Sequence, residues 1–346
     1  MKLSIIVPVY KVEAYLEKCI ESLQQQDISP GEYEVIIVND GSPDGCKDIV
    51  LRLQLKFDNI VFIDQENQGV SIARNNAITK ATGEYIMPID PDDFVLTNTF
   101  KHIIDQAESQ KLDVLYLGLD ILDEEGRVEW RTKYAEFEGI VYNGVEGYFT
   151  GRGLSVRDPD RSVGILYKRS LLKHFNINYP ADVPYLEDGL FLAKVFAVAD
   201  RCGFGSRPFY QRTTRQGSAT HSRLFYSQQA LDGFIKAAND IRSFREKNTL
   251  TLDQQGLINH VTAKFVLLPI ISCVGSKNWR AYKKIRQKIK EAGFNHLELK
   301  GCRSIYYYYA SYFNKSKNWF FTYFLGQTIF NSIKCRIQIF KNNMQS

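Results

Sequence analysis

The densest chemistry in the chain is acidic. Asp90, Asp92 and Asp93 crowd together in Ile89-Asp90-Pro91-Asp92-Asp93, at the end of the apolar run Tyr85–Ile89. Like charges this close repel, so the cluster either destabilises its loop or shifts its proton affinities. A divalent cation resolves the conflict. Mg2+ or Mn2+ takes oxygen ligands and shares one or two carboxylates with substrate phosphates. The competing reading is an Asp-rich turn or helix cap.

Other segments carry polar groups in comparable positions. Pro8-Val9-Tyr10 closes an apolar run and is compatible with a ligand contact or a simple strand exit. Asp40 ends the run before Gly41-Ser42-Pro43-Asp44-Gly45. Its carboxylate there can accept a hydrogen bond from a base N–H, while Ser42 or Asp44 caps the next helix. Asn67-Gln68-Gly69 leads to Arg74, a cation able to reach a phosphate or the acidic cluster. Glu187 and Asp188 precede an apolar helix, where acidic residues also suit any helix N-terminus. Arg212 and Arg215 follow, as candidates for a pyrophosphate or an acceptor, or as solvated loop cations.

The elements that must position these groups show in the hydrophobic pattern. Leu3–Val9, Val35–Val38, Ile60–Ile63 and Tyr85–Ile89 are short apolar runs, as buried parallel strands require. Between them, Val12, Leu16, Cys19, Ile20 and Leu23 share one helical face, as do Ile49, Val50, Leu53 and Phe57, and then Val70, Ala73, Ala77 and Ala81. Alternation of this kind predicts a Rossmann-like, mostly parallel α/β sheet with right-handed crossovers and helices on both faces. Ligands in such sheets bind outside the carboxyl ends of the strands, so the loops above should converge. Further strands are expected at Val114–Leu119, Val163–Tyr167 and Phe209–Thr213. The glycine-dense stretch 139–164 reads as loops with a mobile segment. From about residue 222 the pattern is helical, clearest in Leu224–Phe244 and Leu257–Val274. The division expected is 1–218, in two parts, 1–100 and 101–218, followed by a helical region 219–346.

Composition narrows the classes. Of 346 residues, 44% are hydrophobic, enough for a sizeable core, and 24% are charged, which argues against disorder. A net charge of +5 is too small to argue for nucleic acid as a partner. The six cysteines include no CxxC pair, so neither zinc nor a disulfide framework is indicated, and reduced thiols in the cytoplasm are expected. The N-terminal apolar run is too short for a signal peptide. Tyr306–Tyr309, Tyr312, Phe313, Trp319–Phe321, Tyr323, Phe324 and Phe330 interleave with Lys315, Lys317, Lys334, Arg336 and Lys341. That mixture suits an anionic membrane surface, the domain core or a second subunit of a homo-oligomer.

In order and spacing, PVY at residues 8–10, Val38-Asn39-Asp40-Gly41-Ser42-Pro43-Asp44-Gly45, Asn67–Asn75 and IDPDD at 89–93 resemble the inverting family-2 glycosyltransferases of bacterial cell-surface polysaccharide synthesis. Tyr185–Phe191 and Tyr210–Ser218 extend the resemblance to about residue 218. It implies a GT-A fold and a nucleotide-sugar donor, usually a UDP-sugar. It further implies that Asp40 meets the base, Asp90 meets the ribose or supports the metal, Asp92 binds the metal and Asp188 is the catalytic base. Pro8, Tyr10 and Arg74 fall on the donor side, with Asp93, Glu187, Arg212 and Arg215 in support. The QxxRW motif of processive members is absent, which points to single additions to a glycan or lipid-linked acceptor. A nucleotidyltransferase would need a Gly-rich basic loop where Tyr10-Lys11-Val12-Glu13 stands, and no GxGxxG marks a dehydrogenase. The alternative from another class is a catalytically silent nucleotide-sugar binder or assembly protein.

Overall fold

The first apolar run becomes β1 (Leu3–Val9), every residue of it buried. A computed structural model of the chain describes residues 1–183, 186–214, 228–275, 279–316, 324 and 326. After β1 come α1 (Glu13–Gln24), β2 (Tyr33–Asp40), α2 (Cys46–Gln54), β3 (Ile60–Gln65), α3 (Val70–Lys80) and β4 (Tyr85–Pro88). The four strands pair in parallel in the order β3-β2-β1-β4. The reason lies in the pattern: β1 and β2 are apolar on both faces, and α1 offers Leu16, Cys19, Ile20 and Leu23 to cover them. Leu16, Ile20 and Leu23 each stabilise the fold by about 1.5–3 kcal/mol when fully buried.

Beyond β4 the sheet becomes mixed. The elements are β5 (Phe94–Val95), α4 (Phe100–Ser109), β6 (Val114–Leu122), β7 (Val128–Arg131), α5 (Gly144–Leu154), β8 (Ile165–Lys168), α6 (Arg169–His174), α7 (Glu187–Val198) and β9 (Cys202–Thr213). The path continues β4-β8-β6-β9-β5, with β7 pairing β6. β8 runs antiparallel to both β4 and β6, while β9 is parallel to β6. One pairing positions the site. Phe94 pairs with Gln211 and Val95 with Tyr210, which pins the acidic loop after β4 to the end of β9.

The stretch 139–164 departs from the loops expected of it, because it contains α5. Asn143 caps that helix by accepting from the Glu146 N–H at 2.9 Å. Its glycines serve close packing. A Cβ on Gly144 would stand 2.2 Å from the Phe196 carbonyl oxygen, and one on Gly151 would stand 2.3 Å from the Tyr116 ring.

These elements form one compact unit, Met1–Ala181 with Glu187–His221. The other unit comprises Asp182–Leu186 and Ser222–Ser346. Its described helices are α8 (Gln228–Lys247), α9 (Leu252–Gly275), α10 (Trp279–Glu291) and α11 (Ser304–Lys315). Among the described residues, Leu252–Cys273 within α9 is long and apolar enough to cross a membrane, yet 78% of that window is buried inside the protein. It is the core of this unit, built on Leu257, Ile258, Val261, Phe265 and Val266. Of the aromatic tract, Phe313 on α11 is buried, whereas Tyr307 and Tyr308 are exposed. Residues 317–323, 325 and 327–346, with Trp319–Phe321, Tyr323, Phe330, Lys317, Lys334, Arg336 and Lys341, lie outside the described residues. Five cysteines, at 19, 46, 202, 273 and 302, are free thiols, and Cys335 lies outside.

Candidate active site

Arg74 is the hub of the site. It sits in the second turn of α3 and is only 4% exposed. Its Nη2 donates to Asp90 Oδ1 at 2.9 Å and its Nη1 to Asp188 Oδ1 at 2.8 Å. The guanidinium also lies over the Tyr179 ring, 5.0 Å from its centroid. Tyr179 is in turn stacked on Phe191 of α7 at 4.0 Å. One cation therefore ties the loop after β4 to the start of α7. An always-charged, forked side chain suits that task, and a lysine could not span both carboxylates in the same way.

Asp188 lies in the first turn of α7 and also accepts from Ser162 Oγ at 2.8 Å. Burial raises its carboxyl above the ordinary value, against the pull of the Arg74 charge and the Ser162 hydroxyl. Beside it, burial and then the Asp188 charge push Glu187 up to about 7. Glu187 Oε2 is buried without a hydrogen-bond partner among the described residues.

The three carboxylates of the acidic loop can place one oxygen each within 4.8 Å of one another. They are not equivalent. Asp93 is buried and accepts from Tyr210 Oη at 2.7 Å and from the Thr213 N–H at 2.8 Å. Burial, followed by the charges of Asp90 and Asp92, pushes its carboxyl up to about 8. Asp90 and Asp92 are half-buried. The Asp90 N–H donates to Tyr210 Oη at 3.1 Å, and the Asp92 carbonyl accepts from Thr213 Oγ1 at 2.7 Å. Tyr210 and Thr213 at the end of β9 thus hold the loop open on one side. An all-oxygen donor set of this spacing fits Mg2+ or Mn2+.

Asp40 serves the neighbouring loops in this structure. Its carboxylate accepts from Gln65 Nε2 at 2.8 Å and from the backbone N–H groups of Gln68 at 2.8 Å and Gly69 at 2.9 Å. Gly69 has φ 89° and Gly41 φ 63°, conformations in which a side chain would be strained. Pro8 pairs with Val38 in the sheet, and Tyr10 beyond it is 43% exposed. Arg212 forms an ion pair with Asp158. Arg215 lies outside the described residues, as do Pro184, Tyr185 and 216–218. Ser162, Tyr179 and Asp158 enter the network without having been singled out from sequence. None has a neighbouring motif that would mark it, and only the fold brings it to its partner.

Residues 4–174 match the model described as glycosyl transferase family 2. This match places residues 4–174, just under half of the chain, in that family. Among curated relatives, the uncharacterized glycosyltransferase EpsJ of Bacillus subtilis is 32% identical over 198 residues, 57% of this chain and 57% of its own. The poly(ribitol-phosphate) beta-N-acetylglucosaminyltransferase TarS of Staphylococcus aureus is 28% identical over 219 residues, 63% of this chain and 36% of TarS. The chain thus spans a third to somewhat over half of the length of these relatives. Residues 1–349 of S. aureus TarS, in complex with UDP-GlcNAc, superpose with a TM-score of 0.61 at 22% identity, covering 84% of this chain and 92% of the other. The Pyrobaculum calidifontis mannosyltransferase PcManGT, in complex with GDP-Man and Mn2+, gives 0.50 at 15% identity, covering 96% and 86%. At such identities the likeness establishes the fold, the GT-A arrangement of a sheet between helices.

Proposed function

We propose that the chain is an inverting, non-processive glycosyltransferase. It would move a sugar from a nucleoside diphosphate donor, a UDP-sugar, to a hydroxyl of a glycan or lipid-linked acceptor in cell-surface polysaccharide synthesis, on the cytoplasmic side of the membrane. The observation that carries the reading is the Arg74 bridge, which holds a candidate base, Asp188, beside a metal-competent acidic loop. TarS, a named N-acetylglucosaminyltransferase with a UDP-GlcNAc complex, supports the donor class.

In this reading Asp188 takes the proton of the acceptor hydroxyl as that oxygen attacks the anomeric carbon. The bond from that carbon to the diphosphate breaks on the opposite face, so one displacement inverts the configuration. Arg74 favours the ionised, proton-accepting form of Asp188, and Ser162 fixes its orientation. Asp92, with Asp90, would hold Mg2+ or Mn2+, which when bound neutralises charge on the departing diphosphate. Asp93 braces the loop through Tyr210 and Thr213. Asp40, through its hold on residues 65–69, shapes the wall assigned to the nucleotide base.

Asp188→Asn should abolish sugar transfer while donor binding, followed by calorimetry, survives. Unchanged turnover in that variant rules out the assignment. EDTA should stop release of nucleoside diphosphate from the donor and added Mn2+ should restore it. Full activity in EDTA contradicts the metal role.

A further inference from the structure

The second unit holds a cleft of about 230 Å³ lined by Ile270 of α9, Tyr282, Lys283, Arg286, Ile289 and Lys290 of α10, and Phe313 of α11. Its apolar lining comes from three helices. Its charged lining is cationic, with no carboxylate. The imbalance extends along α10, where Arg280, Lys283, Lys284, Arg286, Lys288 and Lys290 face a single acid, Glu291. This one helix carries as much excess positive charge as the whole chain, whose net charge is +5. Lys288 is paired with Asp232 at 2.5 Å. Arg280, Lys283, Lys284 and Lys290 are exposed. Tyr282, Ile285 and Ile289 form the buried face that packs α10 onto its unit. Trp279 opens the helix 41% exposed, at a place where an indole meets the boundary between headgroups and hydrocarbon well.

From this combination we infer that α10 and the cationic rim of its cleft form a binding surface for an anionic lipid bilayer, with phosphate-bearing headgroups against Lys283, Arg286 and Lys290 and the exposed Trp279 indole at the boundary with the hydrocarbon. The cationic rim alone would also take inorganic phosphate. The floor of Ile270, Ile289 and Phe313 is already shielded from water, so a bilayer gains over the free ion by meeting several exposed cations at once and by seating the exposed Trp279. The surface is independent of the catalytic reading and would bring the enzyme to where a lipid-linked acceptor resides.

The test is flotation of the full-length chain with vesicles of phosphatidylcholine alone or mixed with phosphatidylglycerol. The chain should float with the mixed vesicles, not with the neutral ones, and less as salt rises. In Lys283→Gln/Lys284→Gln/Lys290→Gln, three exposed cations are lost, each contributing a factor of about 5 near an anionic surface, so partitioning should fall roughly 100-fold. Circular dichroism and thermal melting should show that this variant is folded. Three results overturn the inference: no flotation with anionic vesicles, equal flotation of the folded variant, which moves the contact to residues 317–346, or complete release by millimolar inorganic phosphate at constant ionic strength.

Discussion

Arg74→Gln removes the cation that two carboxylates share and keeps most of the side chain's bulk. At an effective dielectric of about 20, a pair of charges 4 Å apart attracts by about 4 kcal/mol. The Asp90 and Asp188 side chains are 35% and 30% exposed, so solvent screens a good part of that. Against this, removing one partner of a buried pair typically costs 3–5 kcal/mol. A net loss of about 3 kcal/mol follows, which in a unit of this size lowers the melting temperature by roughly 6–12 °C. The sign with pH is fixed by the carboxylates. Without Arg74 the raised proton affinity of Asp188 rises further, so the damage is greatest where Asp188 is ionised, at neutral pH and above. It shrinks as pH falls and Asp188 becomes neutral. Melting of both proteins from pH 5 to 8, in EDTA, measures the gap. Turnover should also fall, and the remainder should recover with rising pH as Asp188 loses its proton. A melting temperature within about 2 °C of the parent at pH 7.5, with parallel pH curves, would refute the bridge as an energetic element.

Asp93 gives a second pH signature. Its folded carboxyl stands at about 8 against an ordinary 3.8, chiefly through burial, so the fold favours the protonated form. That contribution is complete below pH 4 and is lost as pH rises through 8, by at most about 1.4 kcal/mol per pH unit. Metal-free Asp93→Asn should therefore be flatter than the parent in urea unfolding between pH 5 and 8, and equal slopes would show that Asp93 titrates normally. Ser162→Ala removes a hydroxyl donor to ionised Asp188, an interaction of about 1.5–3 kcal/mol. The acid limb of the kcat profile should move to higher pH with the donor KM unchanged, and Ser162→Thr should restore it; a rise in KM alone argues for a different role. Gly144→Ala puts a methyl group against two backbone carbonyl oxygens, those of Phe196 and Ala199. A loss of about 1–3 kcal/mol is expected in denaturant unfolding, and no loss would mean that α5 does not pack as described.

Much of the scaffold is legible along the chain, because strand and helix leave local periodicities. Leu3–Val9 and the face Leu16-Cys19-Ile20-Leu23 carry their own burial pattern, and alternating such segments allows little besides a parallel α/β layer. The acidic cluster is legible for a similar reason, since its carboxylates are neighbours in sequence and repel wherever they are placed. Asp188 was reachable only through motif order. Its partner Arg74 lies 114 positions away, and nothing local to either residue encodes their bridge. The same holds for Ser162 on Asp188 and for Tyr210 and Thr213 on Asp93, which meet only because β9 runs parallel to β6 and pairs with β5. The glycines of α5 misled for a physical reason: glycine signals freedom in a loop and close approach in a packed helix, and the deciding neighbours, Phe196 and Tyr116, are remote in sequence. Chemical types and local elements follow from short-range patterns. Which carboxylate is buried, which is bridged and which remains for a metal depends on long-range packing, and the tertiary structure alone decides it.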